Sequence, residues 1–222
     1  MIRAVIFDMF ETLITHYESP LYFSAQMAGD VGMDVEEFRA VWYPSETDRT
    51  IGKLTLEEAL EIALKECHCY SDELLQKMVD KRRQKVMNCF KHLHPEIIPM
   101  LSKLKEKGYL VGLISNCFSE EAEVIRRSQL FPYFDEVYLS YDQGIQKPDY
   151  EIFKRCMRGF AVKPQECLYV GDGGSHELET ARELGMYAVQ AAWYLKEGSR
   201  QPAGRKQEFI QLESPMDVLK LL

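Results

Sequence analysis

The sequence predicts an α/β fold: a Rossmann-like parallel sheet with helices on both faces, interrupted by an inserted helical bundle. Two observations predict it. The first is a set of apolar, β-rich runs that end just before a polar or glycine-containing turn: AVIF before Asp8, YLVGLIS before Asn116, EVYLS before Tyr141 and CLYV before Gly171, with a further run, YAVQAAW, after Gly185. Near-continuous hydrophobicity is what strands buried on both faces require, and helical patterns between the later runs supply the covering layers. The second is the character of residues 16–94, which carry amphipathic helical patterns and no convincing strand. A chain of 222 residues, 46% hydrophobic and 28% charged, can bury a core in each of two small domains. The expected division is residues 1–15 with 95–222 for the sheet domain, and 16–94 for the helical one.

Each element has a local cause. AVIF runs straight into Asp8, placing a carboxylate where the sheet opens. In the insertion, Asp34 with Glu37 makes a capping signature before Phe38, and Thr55 with Glu58 makes another before the stripe Leu56, Leu60, Ala63 and Leu64. Ser71 caps the long segment whose Leu75, Met78, Val79 and Val86 share a face. About four helices of ordinary length fit this stretch. Pro20 and Pro95 flank it, and KHLHPEIIP reads as the return linker. The CHCY stretch at Cys67, His68 and Cys69 lacks the second ligand pair that a structural zinc site needs, so it reads as a helix end. Beyond the linker, Pro148 suits the first turn of a helix whose Ile152, Phe153, Cys156 and Met157 face inward.

Composition excludes several classes of function. A net charge of -8 with no block rich in Lys and Arg argues against nucleic acid and against anionic membranes as partners. The apolar runs are too short to cross a bilayer, and MIRAVIFDMF turns acidic before a signal-peptide core forms, so a cytoplasmic location is expected. Six cysteines in such a chain read as reduced, mostly buried thiols. Nothing in the sequence fixes an oligomeric state.

In parallel α/β sheets chemistry gathers at the C-terminal ends of the strands. Those ends hold Asp8, then Ser115 with Asn116 in LISN, and Asp172 in YVGDGGSHE, while QKPDYEIF supplies Lys147. Alone, each is an ordinary turn residue or a solvated charge. Together, in this order and spacing, they resemble the haloacid dehalogenase (HAD) superfamily of hydrolases across essentially the whole chain, with the insertion looking like a type 1 cap. The resemblance implies Asp8 as the nucleophile that forms an aspartyl intermediate, Thr12 as a residue orienting its loop at the substrate, and Ser115 as a hydrogen-bond donor to the transferred group. Asn116 is a further substrate-binding candidate that turn chemistry explains equally well. Lys147 is implied as the cation offsetting the charge of Asp8. Asp172 resembles the Mg2+ ligand, with Glu177 holding the metal through water; Asp8 and the backbone carbonyl of Phe10 complete the metal set. Such a site would take a small phosphorylated metabolite, because a divalent cation removes the repulsion between a carboxylate and a phosphate.

Phe10 departs from the family pattern. HAD phosphatases usually carry there a second Asp that protonates the leaving alkoxide, a step worth about 10² to 10⁴ in rate. A halide needs no proton, and the dehalogenase branch also has an aromatic residue at this place. Three readings follow: a Mg2+-dependent phosphatase, favoured by the retained Asp172 and Glu177; a metal-independent dehalogenase-type hydrolase; and a catalytically weak metabolite-binding protein. A dehalogenase would want a cap arginine for its substrate carboxylate, for which Arg39 and Arg49 with Trp42 and Tyr43 are candidates that packing and surface charge explain as well. Glu11 reads as a solvated or cap-contacting residue, and His176 as one that faces solvent or packs on the glycine turn.

Overall fold

Strand β1 (Ala4–Phe7) is buried on both faces, because Val5 and Phe7 enter one hydrophobic cluster while Ala4 and Ile6 enter another on the opposite side. The computed structural model describes residues 1–195, 201 and 203–222. The chain leaves β1 for helices α1 (Ser24–Val31), α2 (Val35–Trp42), α3 (Glu46–Thr50), α4 (Leu56–Glu66) and α5 (Asp72–Cys89). It returns through α6 (Ile97–Glu106) and β2 (Leu110–Ser115), then α7 (Ser119–Arg127), β3 (Glu136–Leu139) and the short α8 (Ser140–Gln143). It ends with α9 (Tyr150–Phe160), β4 (Cys167–Gly171), α10 (Glu177–Glu183), β5 (Tyr187–Ala191) and β6 (Ile210–Leu212). All strand pairs are parallel, in the order β3-β2-β1-β4-β5-β6. This α/β sheet is the one expected, and its central strands β1, β2 and β4 bring Asp8, Asn116 and Asp172 to one edge.

The strand β6 was not expected. Its IQL is too short to show a period, and one neighbour is all an edge strand needs. Helix α9 packs as expected: Ile152, Phe153, Cys156, Met157 and Phe160 are buried. Pro148, however, precedes the N-cap Asp149 instead of standing in the first turn, and its peptide bond with Lys147 is cis.

The insertion holds five α-helices among the described residues, one more than expected, because α3 (ETDRT) is polar and carries no apolar stripe to announce it. Its own hydrophobic cluster centres on Phe38, Trp42, Leu56, Leu60, Leu64, Met78 and Val79. The Thr55–Glu58 capping box forms, and Ser71 accepts from the Leu74 N–H at 3.1 Å. Asp34 caps α2 through the N–H groups of Glu36 and Glu37, but Glu37 does not reach back, so the second box is half made. Cys67 closes α4, with His68 in the left-handed region, as a helix end should.

Where the insertion meets the sheet domain, contacts are close and polar. The Leu56 N–H donates to Ser119 Oγ at 2.9 Å, and Ser140 Oγ donates to the Thr50 carbonyl at 2.8 Å. Gly52 (φ +75) lies so near the Tyr141 carbonyl that a Cβ would strike it. Arg82 of α5 donates to Glu120 at 2.8 Å and to Glu121 at 2.6 Å, all three side chains being buried. Removing one partner of such a group strands the opposite charge in a dry place. Arg82→Met is therefore expected to destabilise the fold by roughly 3–5 kcal/mol in denaturant unfolding, and neutralising Glu120 and Glu121 together with it recovers most of that loss. A loss under about 1 kcal/mol for Arg82→Met alone would mean that water reaches the group.

Candidate active site

Asp8 stands at the carboxyl end of β1, fixed by its own N–H donating to the Val170 carbonyl at 2.9 Å. Lys147 Nζ donates to Asp8 Oδ1 at 2.6 Å, and both side chains are buried. Lys147 is aimed by Asn116, which donates to the Lys147 carbonyl at 3.0 Å and accepts from its N–H at 2.8 Å. Asp172 follows β4 and accepts from the Gly174 N–H at 3.0 Å. Glu177, at the start of α10, accepts from the N–H groups of Gly173 at 2.7 Å and Ser175 at 2.8 Å, and so clamps the glycine turn that carries Asp172.

Asp8, Asp172 and Glu177 each bring a carboxylate oxygen within 4.8 Å of the others, and all three are buried. Among the described residues, three carboxylates against one ammonium leave a formal excess of two negative charges. The site feels it. Burial raises the Asp8 carboxyl above its ordinary range against the pull of Lys147, and burial, Glu177 and Asp8 hold Asp172 well above its own. Burial disfavours the Lys147 cation, but Asp8 and Glu177 outweigh it and raise that group. A clustered all-oxygen donor set with two uncompensated charges fits a hard divalent cation.

These groups open on a cavity of about 960 Å³ between the sheet and the insertion. Asp8, Phe10, Asn116, Lys147 and Asp172 line it. Ser115 and Thr12 are not among its lining residues, and both are fully buried. Ser115 Oγ donates to the Asn116 carbonyl at 3.3 Å, and Thr12 Oγ1 has no hydrogen-bond partner among the described residues.

A model of the haloacid dehalogenase-like hydrolases matches residues 2–185. The chain belongs to that family. It is 33% identical over 98 residues to the glyceraldehyde 3-phosphate phosphatase of Methanopyrus kandleri, a match covering 44% of this chain and 42% of that protein. The chain thus spans less than half the length of that curated relative. Its fold resembles a 2-haloacid dehalogenase from Pseudomonas syringae pv. Tomato (TM-score 0.70, 24% identity, 100% of this chain and 98% of the other). It equally resembles a HAD phosphatase from Thermococcus onnurineus (TM-score 0.67, 21% identity, 99% and 97%). The fold therefore does not choose between the two chemistries.

What distinguishes this HAD hydrolase is the loop after Asp8. Glu11 is not solvated: it is buried in the left-handed region (φ +59), accepting from Thr15 Oγ1 at 2.6 Å, the His16 N–H at 2.8 Å and Gln201 Nε2 at 2.7 Å. Burial raises its carboxyl despite those donors. His176 is exposed, with φ +53. The Phe10 ring stacks on His16, centroids 4.6 Å apart, and His16 lines the cavity. Sequence reading missed His16, for which the only signal was its place just after the motif.

Burial, then Arg82 and Lys85, hold the His16 imidazole well below its ordinary 6.5; the Glu121 carboxylate 3.9 Å away is engaged by Arg82 and does not reverse this. A group depressed on folding contributes stability that is full above its unfolded value and is lost as pH falls below it. Below pH 6.5 the unfolded chain takes up a proton that the native chain refuses. The stability of wild type relative to His16→Phe is thus expected to fall by about 1 kcal/mol between pH 6.5 and 5.5, the slope approaching about 1.4 kcal/mol per pH unit at lower pH. Unfolding curves at pH 7.5, 6.5 and 5.5 check it, and a constant difference would mean that His16 titrates freely.

Proposed function

We propose that this HAD hydrolase is a magnesium-dependent phosphatase of a small phosphorylated metabolite, working through an aspartyl-phosphate. The carrying observation is the buried cluster of Asp8, Asp172 and Glu177, with Lys147 as its one ammonium among the described residues. Similarity to the archaeal glyceraldehyde 3-phosphate phosphatase supports the same reading.

An Mg2+ ion held by Asp8, the Phe10 carbonyl, Asp172 and, through water, Glu177 would offset the repulsion between carboxylate and phosphate. The Asp8 carboxylate attacks phosphorus, a new P–O bond forms, and the ester P–O bond breaks. Lys147 holds Asp8 in place and offsets charge on the phosphoryl oxygens, and Asn116 fixes Lys147. Phe10 cannot donate a proton, so the leaving oxygen takes one from water or is a weak base already. Water then attacks phosphorus and gives up its proton to solvent, where it balances the one taken by the leaving oxygen; the P–O bond to Asp8 breaks, inorganic phosphate leaves, and the Asp8 carboxylate is regenerated. Ser115 donates to the transferred phosphoryl group, and Thr12 helps to orient the loop after Asp8. Residues 16–94 form the cap over 1–15 and 95–222, and exclude water when substrate is bound. No helix among the described residues is long and apolar enough to cross a membrane, and the six cysteines are free, which supports the cytoplasmic location included in this proposal.

Phe10 keeps a second reading in play, a metal-independent dehalogenase, since a halide leaves without a proton. Steady-state assays on phosphate esters and acyl phosphates, with and without Mg2+, are expected to show Mg2+-dependent phosphate release. Halide release from 2-haloacids without metal, and no phosphate release, would reverse the assignment.

A further inference from the structure

Part of the cavity wall is a run of aromatic rings that begins beside the nucleophile. Phe10, two residues after Asp8, is half-buried and lines the cavity. Its ring stacks within 9° of parallel on His16, and His16 meets Phe23 edge-on with centroids 5.5 Å apart. Phe23 is the N-cap of α1, so the run crosses from the loop after β1 onto the cap. Phe118, the N-cap of α7, lines the cavity too, and like Phe23 it is half-buried. His16 contributes its ring to this wall, because its nitrogens face Cys89 Sγ at 3.5 Å and Glu121 at 3.9 Å.

A phosphate ester with no proton donor beside it departs at a rate set by the basicity of its leaving oxygen. An alkoxide is about as basic as hydroxide, whose conjugate acid has a pKa of about 15.7, and it forfeits the factor of about 10² to 10⁴ that a general acid supplies. A phenoxide, whose conjugate acid has a pKa of about 10, needs that help far less. Glu11 does not replace the missing acid, since its two oxygens accept from Thr15, the His16 N–H and Gln201. The ring wall selects in the same direction. Hydroxyls of a sugar or polyol would lie against it without partners, whereas an aromatic leaving group stacks on it offset or edge-on.

Resting on the phosphatase reading, we propose that the substrates are aryl phosphates, monoesters whose leaving oxygen is attached directly to an aromatic ring, with that ring held by Phe10, Phe23 and Phe118. The Asp8 carboxylate forms its bond to phosphorus, the aryl O–P bond breaks, and the electron pair leaves on the phenolic oxygen. That oxygen takes its proton from solvent after departure.

The test separates the leaving oxygen from the ring. Phenyl and benzyl phosphate both carry a ring, but benzyl phosphate leaves as an alkoxide; benzyl and ethyl phosphate both leave as alkoxides, but only the first has a ring. With Mg2+ present, kcat/KM for phenyl phosphate is expected to exceed that for benzyl phosphate by at least about 100-fold. A smaller ratio would show that another group on the wall, such as Tyr17, protonates the leaving oxygen, and it overturns the proposal. In the inactive Asp8→Asn protein, the calorimetric Kd for benzyl phosphate is expected to be at least about tenfold below that for ethyl phosphate, and Phe23→Ala to remove most of that advantage. If Phe23→Ala does not fold, Phe23→Leu, apolar but without the ring, is expected to lower the advantage at least about threefold. A binding advantage under tenfold, or one that the Phe23 substitutions leave unchanged, also overturns the proposal. The phosphatase reading fails separately, when neither these esters nor acetyl phosphate release phosphate and chloride leaves 2-chloropropionate instead; the aryl phosphate assignment then falls with it.

Discussion

Replacing Asp8 by asparagine is expected to lower kcat by at least about 10³-fold while the protein stays folded. An amide is a poor nucleophile toward phosphorus, and no second carboxylate stands two residues on to take over, since Phe10 occupies that place. The accompanying effect on stability has an unusual sign. Removing a buried ion-pair partner is ordinarily destabilising, because the other charge is left unpaired. Here Lys147 keeps Glu177 and Asp172 as neighbouring negative charges, and loss of the Asp8 charge relieves a cluster whose burial and mutual repulsion raise two of its carboxyls. Without divalent ions, Asp8→Asn should therefore melt no lower than wild type. Residual turnover above about 1% would show the nucleophile to be another group. A much lower melting temperature would show instead that the Lys147–Asp8 pair, and not the acid excess, governs the stability of this corner.

Much of this corner was legible because strands announce themselves. AVIF, LISN and CLYV are apolar runs whose ends are polar, and a parallel sheet with both faces covered has one place to expose those ends. Capping residues were legible for the same local reason: Thr55, Ser71 and Glu58 act on N–H groups within three residues. What failed was whatever depends on distant packing. Glu11 reads as solvated or cap-contacting in ETLIT; it does meet the insertion at the His16 N–H, but Gln201, brought from far along the chain, also closes on it. The five-residue α3 is polar throughout, and nothing in ETDRT says that Arg49 will be buried against Phe118, a ring supplied by the sheet domain. Pattern reading finds groups that a local rule places, and misses those that a neighbour creates.

Chelation supplies the other large effect. Treatment with excess chelator is expected to cut phosphate release by at least about 100-fold, with recovery on adding Mg2+, because among the described residues of the sheet domain only Lys147 is then left to oppose the repulsion between Asp8 and an anionic substrate. The same cluster predicts a readout that needs no turnover. An ion that binds the native chain alone stabilises it by about 2.7 kcal/mol at 100 times its Kd, so Mg2+ should raise the melting temperature of wild type. Asp172→Asn should bind Mg2+ at least about tenfold more weakly, since it removes a full negative charge from an oxygen donor set. Its apo form should nevertheless be as stable as apo wild type or more so, because burial and the neighbours Glu177 and Asp8 push the Asp172 carboxyl well toward its neutral form, and asparagine mimics that form. The two signs together are the signature of a metal site and not of a structural carboxylate, which would lose stability in the apo form as well. Calorimetry showing no divalent-ion uptake by wild type, or turnover that survives full chelation, would remove the metal from the mechanism. Asp8 and Lys147 would then be left in the arrangement that a metal-free displacement of halide requires.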